Sequence, residues 1–201
     1  MNLFKTILFL VVFISLTSCA SGYRNVQPKT LNYVSSSENN GVKLEYKYDV
    51  LTKKYSDKEL KKGVKVVAVR LTNNSNEDLM FGKEIKLAYE NGNEIFILEN
   101  EKVFKSLRQK SALYLLYLLL APINLTTTQS NGSSSTYPIG LGIGPLISGL
   151  NVAKANMANK RFKTEINEFN INGTLIKKGE SKYGLIGIKA EAFETLKVKI
   201  E

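Results

Sequence analysis

The sequence predicts a mainly β fold: an antiparallel β-sandwich into which an apolar α-helical hairpin is inserted. Short runs of alternating apolar and polar residues, separated by Gly and Asn turns, predict the strands. The insertion is indicated by residues 111–153, which contain no Asp, Glu, Lys or Arg although these make up 23% of the chain. The sandwich is expected at 42–98 and 168–201, and the hairpin at 99–167.

The amino-terminal residues have the pattern of a secretory signal peptide, predicted at 1–18. A basic start precedes an apolar run at 7–14, which is too short for a spanning helix because such a helix needs about 20 apolar residues. The next residues, Leu16 to Cys19, read Leu-Thr-Ser-Cys and resemble the lipobox of bacterial lipoproteins. The resemblance implies cleavage before Cys19, a diacylglyceryl thioether on its sulfur, and acylation of the new amino terminus.

The residues after the lipobox predict how and where the chain is held. Residues 19–41 are rich in Ser and Asn, so they are expected to form a flexible tether. In lipoprotein sorting, an acidic residue at the position of Ala20 can retain a protein in the inner membrane, and some bacteria use an acidic run there for surface export. No acid occurs at 20–30. The resemblance therefore implies the periplasmic face of the outer membrane.

The predicted strands follow the chain in order. Residues 42–50 alternate with period two, which predicts a strand with one wet face, whereas 64–72 include a run that is apolar on both faces, as expected of a central strand. The charged stretch 53–63 is expected to be a solvated connection, and Asn91-Gly92 a hairpin turn. The other strand-like runs are 79–81, 85–89, 95–98, 169–171, 175–176, 183–188 and 196–200.

Two of these runs carry a family resemblance. Residues 66–75, Val-Val-Ala-Val-Arg-Leu-Thr-Asn-Asn-Ser, resemble the second strand of Ig-like domains on bacterial envelope proteins, and 177–188 resemble its late partner. The whole chain is similar to uncharacterised lipoproteins of Bacteroidota-type bacteria. The resemblance implies an Ig-like antiparallel β-sandwich, but it carries over no activity and no functional residues.

The uncharged insertion is expected to form two helices joined by a polar loop. Pro122 bars continuation of a first helix over 100–120, and Pro145 suits the first position of a second helix over 145–167. Residues 112–121 are apolar all round and therefore need burial on every side. Three kinds of cover remain open: the sandwich with the second helix, a second copy of the chain, and the membrane.

Seven apolar residues of the insertion are the predicted contact residues. They would touch a protein partner, another copy of the chain or the membrane, and the glycines nearby would let helices approach closely. The contact residues are Leu113, Leu116, Tyr117, Leu120, Ile143, Leu146 and Leu150.

The composition argues against most catalytic classes. No His is present, which removes the usual general base near neutral pH and the commonest metal ligand. The single Cys excludes an internal disulfide and a thiolate metal cluster, and no motif indicates a catalytic residue, a metal or a cofactor. The formal charge of +10 is attributed to a Lys-rich solvated surface, because an exported protein rarely meets nucleic acid.

Together these observations predict a lipid-anchored envelope protein that is not an enzyme and acts as a binding or structural module. Its predicted partners are the membrane, through the lipid on Cys19, and a protein or a second copy, through 111–153. The alternative is a periplasmic carrier of an apolar or lipid ligand, with the hairpin as its lid.

Overall fold

The structure is a computed structural model, and it describes residues 19–201. The signal peptide predicted at 1–18 lies outside the described residues. The chain forms two compact units. The large unit comprises Tyr23–Arg108 and Asn159–Glu201, and the small unit comprises, among the described residues, 19–22 and Gln109–Ala158.

The described residues contain three α-helices, two 3-10 helices and eleven strands. The α-helices are α1 (Lys54–Lys62), α2 (Asn100–Leu107) and α3 (Ile139–Glu168), and the 3-10 helices are η1 (Pro28–Thr30) and η2 (Ser111–Leu120). The strands are β1 (Ser35–Asn39), β2 (Val42–Lys47), β3 (Val64–Asn73), β4 (Leu79–Met80), β5 (Ile85–Tyr89), β6 (Ile97–Leu98), β7 (Leu125–Thr128), β8 (Ser134–Tyr137), β9 (Leu175–Ile176), β10 (Ser181–Lys189) and β11 (Leu196–Ile200).

The fold class is mixed α and β, and the prediction of a mainly β, Ig-like antiparallel sandwich is wrong. About 33% of the described residues are helical and about 31% are in strands, which form small sheets. Part of the difference comes from the charged stretch 53–63, which forms helix α1. This helix buries Tyr55 and Glu59 on one face, four residues apart, and ends at Gly63, whose φ of +58° suits a glycine cap.

The large unit is built on a five-stranded antiparallel sheet of order β1-β2-β3-β10-β6. Its central strand is β3, which pairs with β2 from Val42↔Asn73 and with β10 from Val64↔Lys189. Side chains on both faces of β3 are buried, so the prediction of a central strand at 64–72 is confirmed. Both faces of this sheet are therefore covered.

One face of the sheet carries the main hydrophobic core. It packs against two short antiparallel pairs, β5–β11 and β4–β9. Strand β11 also lies beside the edge strand β1, where the Val198 N–H donates to Ser37 Oγ at 3.3 Å and Asn39 Nδ2 donates to the Val198 carbonyl at 3.4 Å. Hydrogen bonds from β1 side chains to the β11 backbone thus connect two strands that form no backbone pairing with each other. Core residues include Leu44, Val69, Phe81, Ile85, Leu87, Ile186, Ile188 and Leu196.

The other face is covered by α1 and α2, and residues 159–168 of α3 pack on these two helices through the buried Phe162. The rings of Tyr55 and Phe162, both fully buried, lie 5.0 Å apart between centroids, within the range of a favourable aromatic pair. Helix α2 approaches β10 at Gly187, where a Cβ atom would overlap the side chain of Val103. Glycine at this position lets the helix lie directly on the strand.

Residues 23–39 are packed into the large unit, so the prediction of a flexible tether is wrong for them. The buried Glu165 carboxylate accepts hydrogen bonds from Tyr23 Oη at 2.5 Å, from the Val26 N–H at 2.8 Å and from the Gln27 N–H at 3.2 Å. Further along, β1 pairs with β2 through a turn at Asn40, which has positive φ, and the glycine after it. Composition rich in Ser and Asn indicated flexibility, but Ser35, Ser37 and Asn39 are themselves the partly buried positions of strand β1.

The small unit differs from the predicted helical hairpin, and that prediction is wrong. Helix α2 ends at Leu107 because Arg108 has extended backbone angles, and η2 is a separate 3-10 helix. A two-stranded β-hairpin, β7–β8, then leads to α3, in which Pro145 lies inside the helix instead of opening it. The helix continues past Pro145 with the loss of one backbone hydrogen bond.

The buried Glu59 predicts a pH effect on stability. Burial raises the pKa of its carboxyl to about 7, although the Val66 N–H donates to it at 2.6 Å and Lys65 favours its charged form. Because the pKa of Glu59 is higher in the folded protein than in the unfolded chain, the contribution of Glu59 to the free energy of unfolding depends on pH. This contribution is complete below the unfolded pKa, near 4.5, and is lost as the pH rises through 7 and the buried carboxyl ionises.

We expect Glu59→Gln, which keeps an acceptor for the Val66 N–H, to remove this pH dependence. Its free energy of unfolding should match wild type near pH 4 and exceed it at pH 8 by on the order of 2–3 kcal/mol. Urea denaturation at both pH values, followed by circular dichroism, measures the difference. Equal stability of the two proteins at pH 8 would contradict the raised pKa of Glu59. The control is Glu38→Gln, a substitution at an exposed position, which should leave the stability unchanged at both pH values.

Candidate functional site

The predicted lipidation residue belongs to the small unit and is followed by residues held in place. Cys19 is exposed, and the backbone N–H of Ala20 donates to Asn151 Oδ1 at 2.6 Å. The side chain of Gln109 makes a two-point contact with the Ser21 backbone: its Oε1 accepts from the Ser21 N–H at 3.0 Å, and its Nε2 donates to the Ser21 carbonyl at 2.8 Å. The chain is therefore fixed one residue after Cys19.

These contacts are part of a buried group that we call the anchor cluster: Ala20, Gln109, Tyr114, Asn151 and Ala155. Ala20 packs against Tyr114 and Ala155 and is only 3% exposed. The hydroxyl of Tyr114 donates to Gln109 Oε1 at 3.3 Å, and Asn151 Nδ2 donates to the Ile147 carbonyl at 2.8 Å. The polar side chains of the cluster are therefore hydrogen-bonded, as buried polar groups need to be.

At its other end, the small unit is held by a backbone contact between η2 and the start of α3. A Cβ atom on Gly140 would lie 2.6 Å from the Ala121 carbonyl oxygen and 2.8 Å from the Ile123 nitrogen. The Gly140 N–H donates to the Ile123 carbonyl at 2.8 Å, and Gly144 packs against Tyr117 and Ala121. The close approach expected for the glycines is thus present, although one partner is a 3-10 helix.

The predicted contact residues fall into two groups. Leu113, Leu116, Ile143, Leu146 and Leu150 are each between 45% and 63% exposed. Tyr117 and Leu120 are half-buried, because residues 114, 117 and 120 lie on the inward face of η2. Sequence reasoning missed Leu115, Leu118, Leu119 and Leu141, which are also exposed. A three-residue period over 111–120 would have revealed the first three, whereas Leu141 lies on α3.

The exposed apolar residues form what we call the apolar surface of the small unit. It lies on the outer sides of both η2 and α3, since the inward face of α3 consists of the small residues Gly140, Gly144, Ser148, Asn151 and Ala155. The four residues of each strand in the β7–β8 hairpin are exposed and uncharged. Patches of this extent on a soluble surface mark interaction sites.

Charge is nearly absent from the small unit. Its described residues contain no acid, and their two cations, Lys110 and Lys154, are both exposed. Lys110 follows Gln109 and Lys154 precedes Ala155, so both cations adjoin the anchor cluster. Cys19, Lys110 and Lys154 are therefore grouped near the same buried residues.

Three further observations on residues 19–201 concern membrane crossing, metal binding and cavities. No helix there combines the length and the hydropathy needed to cross a membrane. Within the same residues, no three His, Cys, Asp or Glu side chains are grouped to hold a metal ion. A surface depression of about 530 Å³ in the large unit is lined by Glu90, Asn91, Phe193, Glu194 and Thr195, which suit an apolar ligand poorly.

Comparison of the chain with protein-family models, with curated proteins and with solved structures gives no match.

Proposed function

We propose that this chain is a lipid-anchored lipoprotein of the bacterial cell envelope, without enzymatic activity, whose small unit embeds its apolar surface in the membrane beside the anchor. The observation that carries the proposal is the position of Cys19. The residue after it is buried in the anchor cluster of the same unit that exposes the leucines. A diacylglyceryl group on its sulfur would enter the bilayer next to them.

The distribution of the apolar residues favours lipid as their surroundings. A helix that lies flat on a membrane has one apolar and one charged face. Here the outer sides of η2 and α3 are both apolar, with Leu116 on one and Leu146 on the other, and residues 111–153 carry no charge. Acyl chains can therefore contact the outer sides of both helices, while the Ser- and Thr-rich β7–β8 hairpin, whose exposed polar groups need hydrogen-bond partners, would lie in water or among headgroups.

The energies are also consistent with embedding. The diacylglyceryl group and the acylated amino terminus would together supply more than one acyl chain, which already gives stable anchoring. Removing a half-exposed leucine from water contributes about 1 kcal/mol, so the exposed leucines together would contribute several kcal/mol. The lipid would therefore hold the chain at the bilayer, and the exposed leucines would fix which surface of the small unit enters it.

The leaflet is inferred from the residues on either side of the predicted cleavage site. The lipobox residues Leu16 to Cys19 support export, and the absence of acid at 20–30 supports the periplasmic face of the outer membrane.

Tryptophan fluorescence tests the embedding directly, because the chain contains no Trp. We expect a Leu116→Trp variant of the full lipidated protein, reconstituted in vesicles, to emit at short wavelength and to be quenched by brominated acyl chains. A Leu60→Trp variant is the matched control, since Leu60 is similarly exposed but lies on α1 among lysines. Its emission should be that of Trp in water, quenched by iodide and not by brominated lipid.

Two outcomes would overturn the proposal. Iodide quenching of Leu116→Trp without lipid quenching would mean that the surface faces water. Shielding from both quenchers would mean that another protein surface, such as a second copy, covers it. Cys19→Ser tests the anchor separately: in cells it should incorporate no labelled fatty acid, and continued labelling would exclude the thioether.

A further inference from the structure

We propose that Lys110 and Lys154 bind anionic phospholipid headgroups where the small unit enters the membrane. This inference rests on the proposed function, because it needs the apolar surface to lie in acyl chains. It adds a lipid class that the apolar residues alone cannot select. Leucines contact the tails of every phospholipid alike, whereas ammonium groups distinguish headgroups by charge.

The first argument is the placement of the two lysines. Gln109 holds the Ser21 backbone, and Lys110 is the next residue; Ala155 packs on Ala20, and Lys154 precedes it. The glycerol of the lipid on Cys19 would lie within a few bonds of the same cluster. Headgroup phosphates are attached to glycerol, so the lysines would meet the membrane at the depth of the phosphates.

The second argument is charge complementarity. The described small unit holds two positive charges and no negative one, so no carboxylate within that unit competes for these ammonium groups. Lysines at the edge of an inserted segment keep their ammonium groups at the interface while their alkyl stems lie along apolar surface. Each lysine close to an anionic membrane strengthens association by about fivefold, and this gain weakens with salt.

The tryptophan reporter can measure headgroup preference in the full lipidated chain. Vesicles contain phosphatidylcholine and phosphatidylglycerol in a fixed ratio, and bromine is placed on the acyl chains of one lipid or of the other. In Leu116→Trp, we expect brominated phosphatidylglycerol to quench more strongly than brominated phosphatidylcholine at the same mole fraction. The preference should shrink when the salt concentration is raised.

The lysine substitutions then test the assignment. Adding Lys110→Gln and Lys154→Gln should reduce the relative affinity for phosphatidylglycerol by roughly twenty-fivefold, leaving quenching by the two lipids nearly equal. The matched control changes two exposed lysines of α1, Lys61→Gln and Lys62→Gln, and should keep the preference. Circular dichroism checks that each variant is folded.

The outcomes separate this inference from the function on which it rests. Strong and equal quenching by both lipids before any lysine is changed would overturn the headgroup assignment and leave the embedding intact. The same is true if the preference survives in the Lys110→Gln, Lys154→Gln variant. Absence of quenching by either lipid would overturn the embedding itself.

Discussion

Replacing Glu165 with alanine is expected to release residues 23–27 from the large unit and to lower its free energy of unfolding by roughly 4 kcal/mol. The carboxylate is buried and accepts from three donors: Tyr23 Oη, the Val26 N–H and the Gln27 N–H. Removing it leaves those donors without their acceptor in a region closed by the Tyr23 and Phe162 rings. Burial and the bond to Glu165 raise the pKa of Tyr23, so its hydroxyl stays a donor.

Trypsin gives a local readout of this release. Arg24 is exposed but lies between the held residues Tyr23 and Val26, so cleavage after it should be slow in the wild type and much faster in Glu165→Ala. Glu168→Ala, one turn further along α3 at an exposed position, is the control and should leave both cleavage and stability unchanged. Glu165→Gln retains one acceptor, so its cleavage rate and stability should lie between those of Glu165→Ala and the wild type. Wild-type cleavage rates in Glu165→Ala would show that other contacts hold this segment.

The strands were the most predictable part of the fold, because their side-chain pattern is local. Alternation along 42–50 and the doubly apolar run at 64–72 correspond to β2 and β3, which lie next to each other in the sheet. The predicted fold class, a mainly β sandwich, was nevertheless wrong, since helices cover one face of that sheet. Helix α1 was missed because it lies in a lysine-rich stretch and buries only two residues, Tyr55 and Glu59. Composition alone cannot show which residues of such a stretch are buried.

The candidate site was predictable in its residue types but not in its geometry. Absence of charge over 111–153 does indicate an apolar surface, and five of the seven named contact residues are well exposed. The sequence could not show that Asn151 would bond Ala20, because those residues are 131 positions apart and neither belongs to a local motif. Nor could the sequence show that Tyr23 would donate a hydrogen bond to Glu165. This bond holds part of the segment that composition predicts to be a flexible tether.

The 3-10 geometry of η2 shows how a tertiary contact overrides local preference. Residues 111–120 are leucine-rich and favour an α-helix. In a 3-10 helix, Tyr114, Tyr117 and Leu120 instead lie on one face, and that face meets α3. The α3 glycines that contact this face, Gly140 and Gly144, are therefore the positions where the small unit is most sensitive to substitution.

Gly140→Ala is expected to destabilise the small unit by about 3 kcal/mol or more, whereas the same change two residues away should do the opposite. A Cβ atom at 140 would meet the carbonyl oxygens of Leu120 and Ala121, and backbone atoms cannot swing aside as a side chain can. At Gly142 a Cβ atom meets nothing within 4 Å, so Gly142→Ala should stabilise α3 by up to about 1 kcal/mol through helix propensity.

Hydrogen exchange measures this contrast within one helix. Amide protection over 144–158 should fall in Gly140→Ala and rise slightly in Gly142→Ala, while β3 of the large unit reports on any global effect. Because the anchor cluster shares these residues of α3, the Ala20 amide should lose protection together with them in Gly140→Ala. Loss of protection at 144–158 with Ala20 still protected would mean that the anchor cluster is stable without the contact between η2 and α3. The apolar surface could then move independently of the lipid anchor, and the proposal that the two enter the membrane as one body would fail.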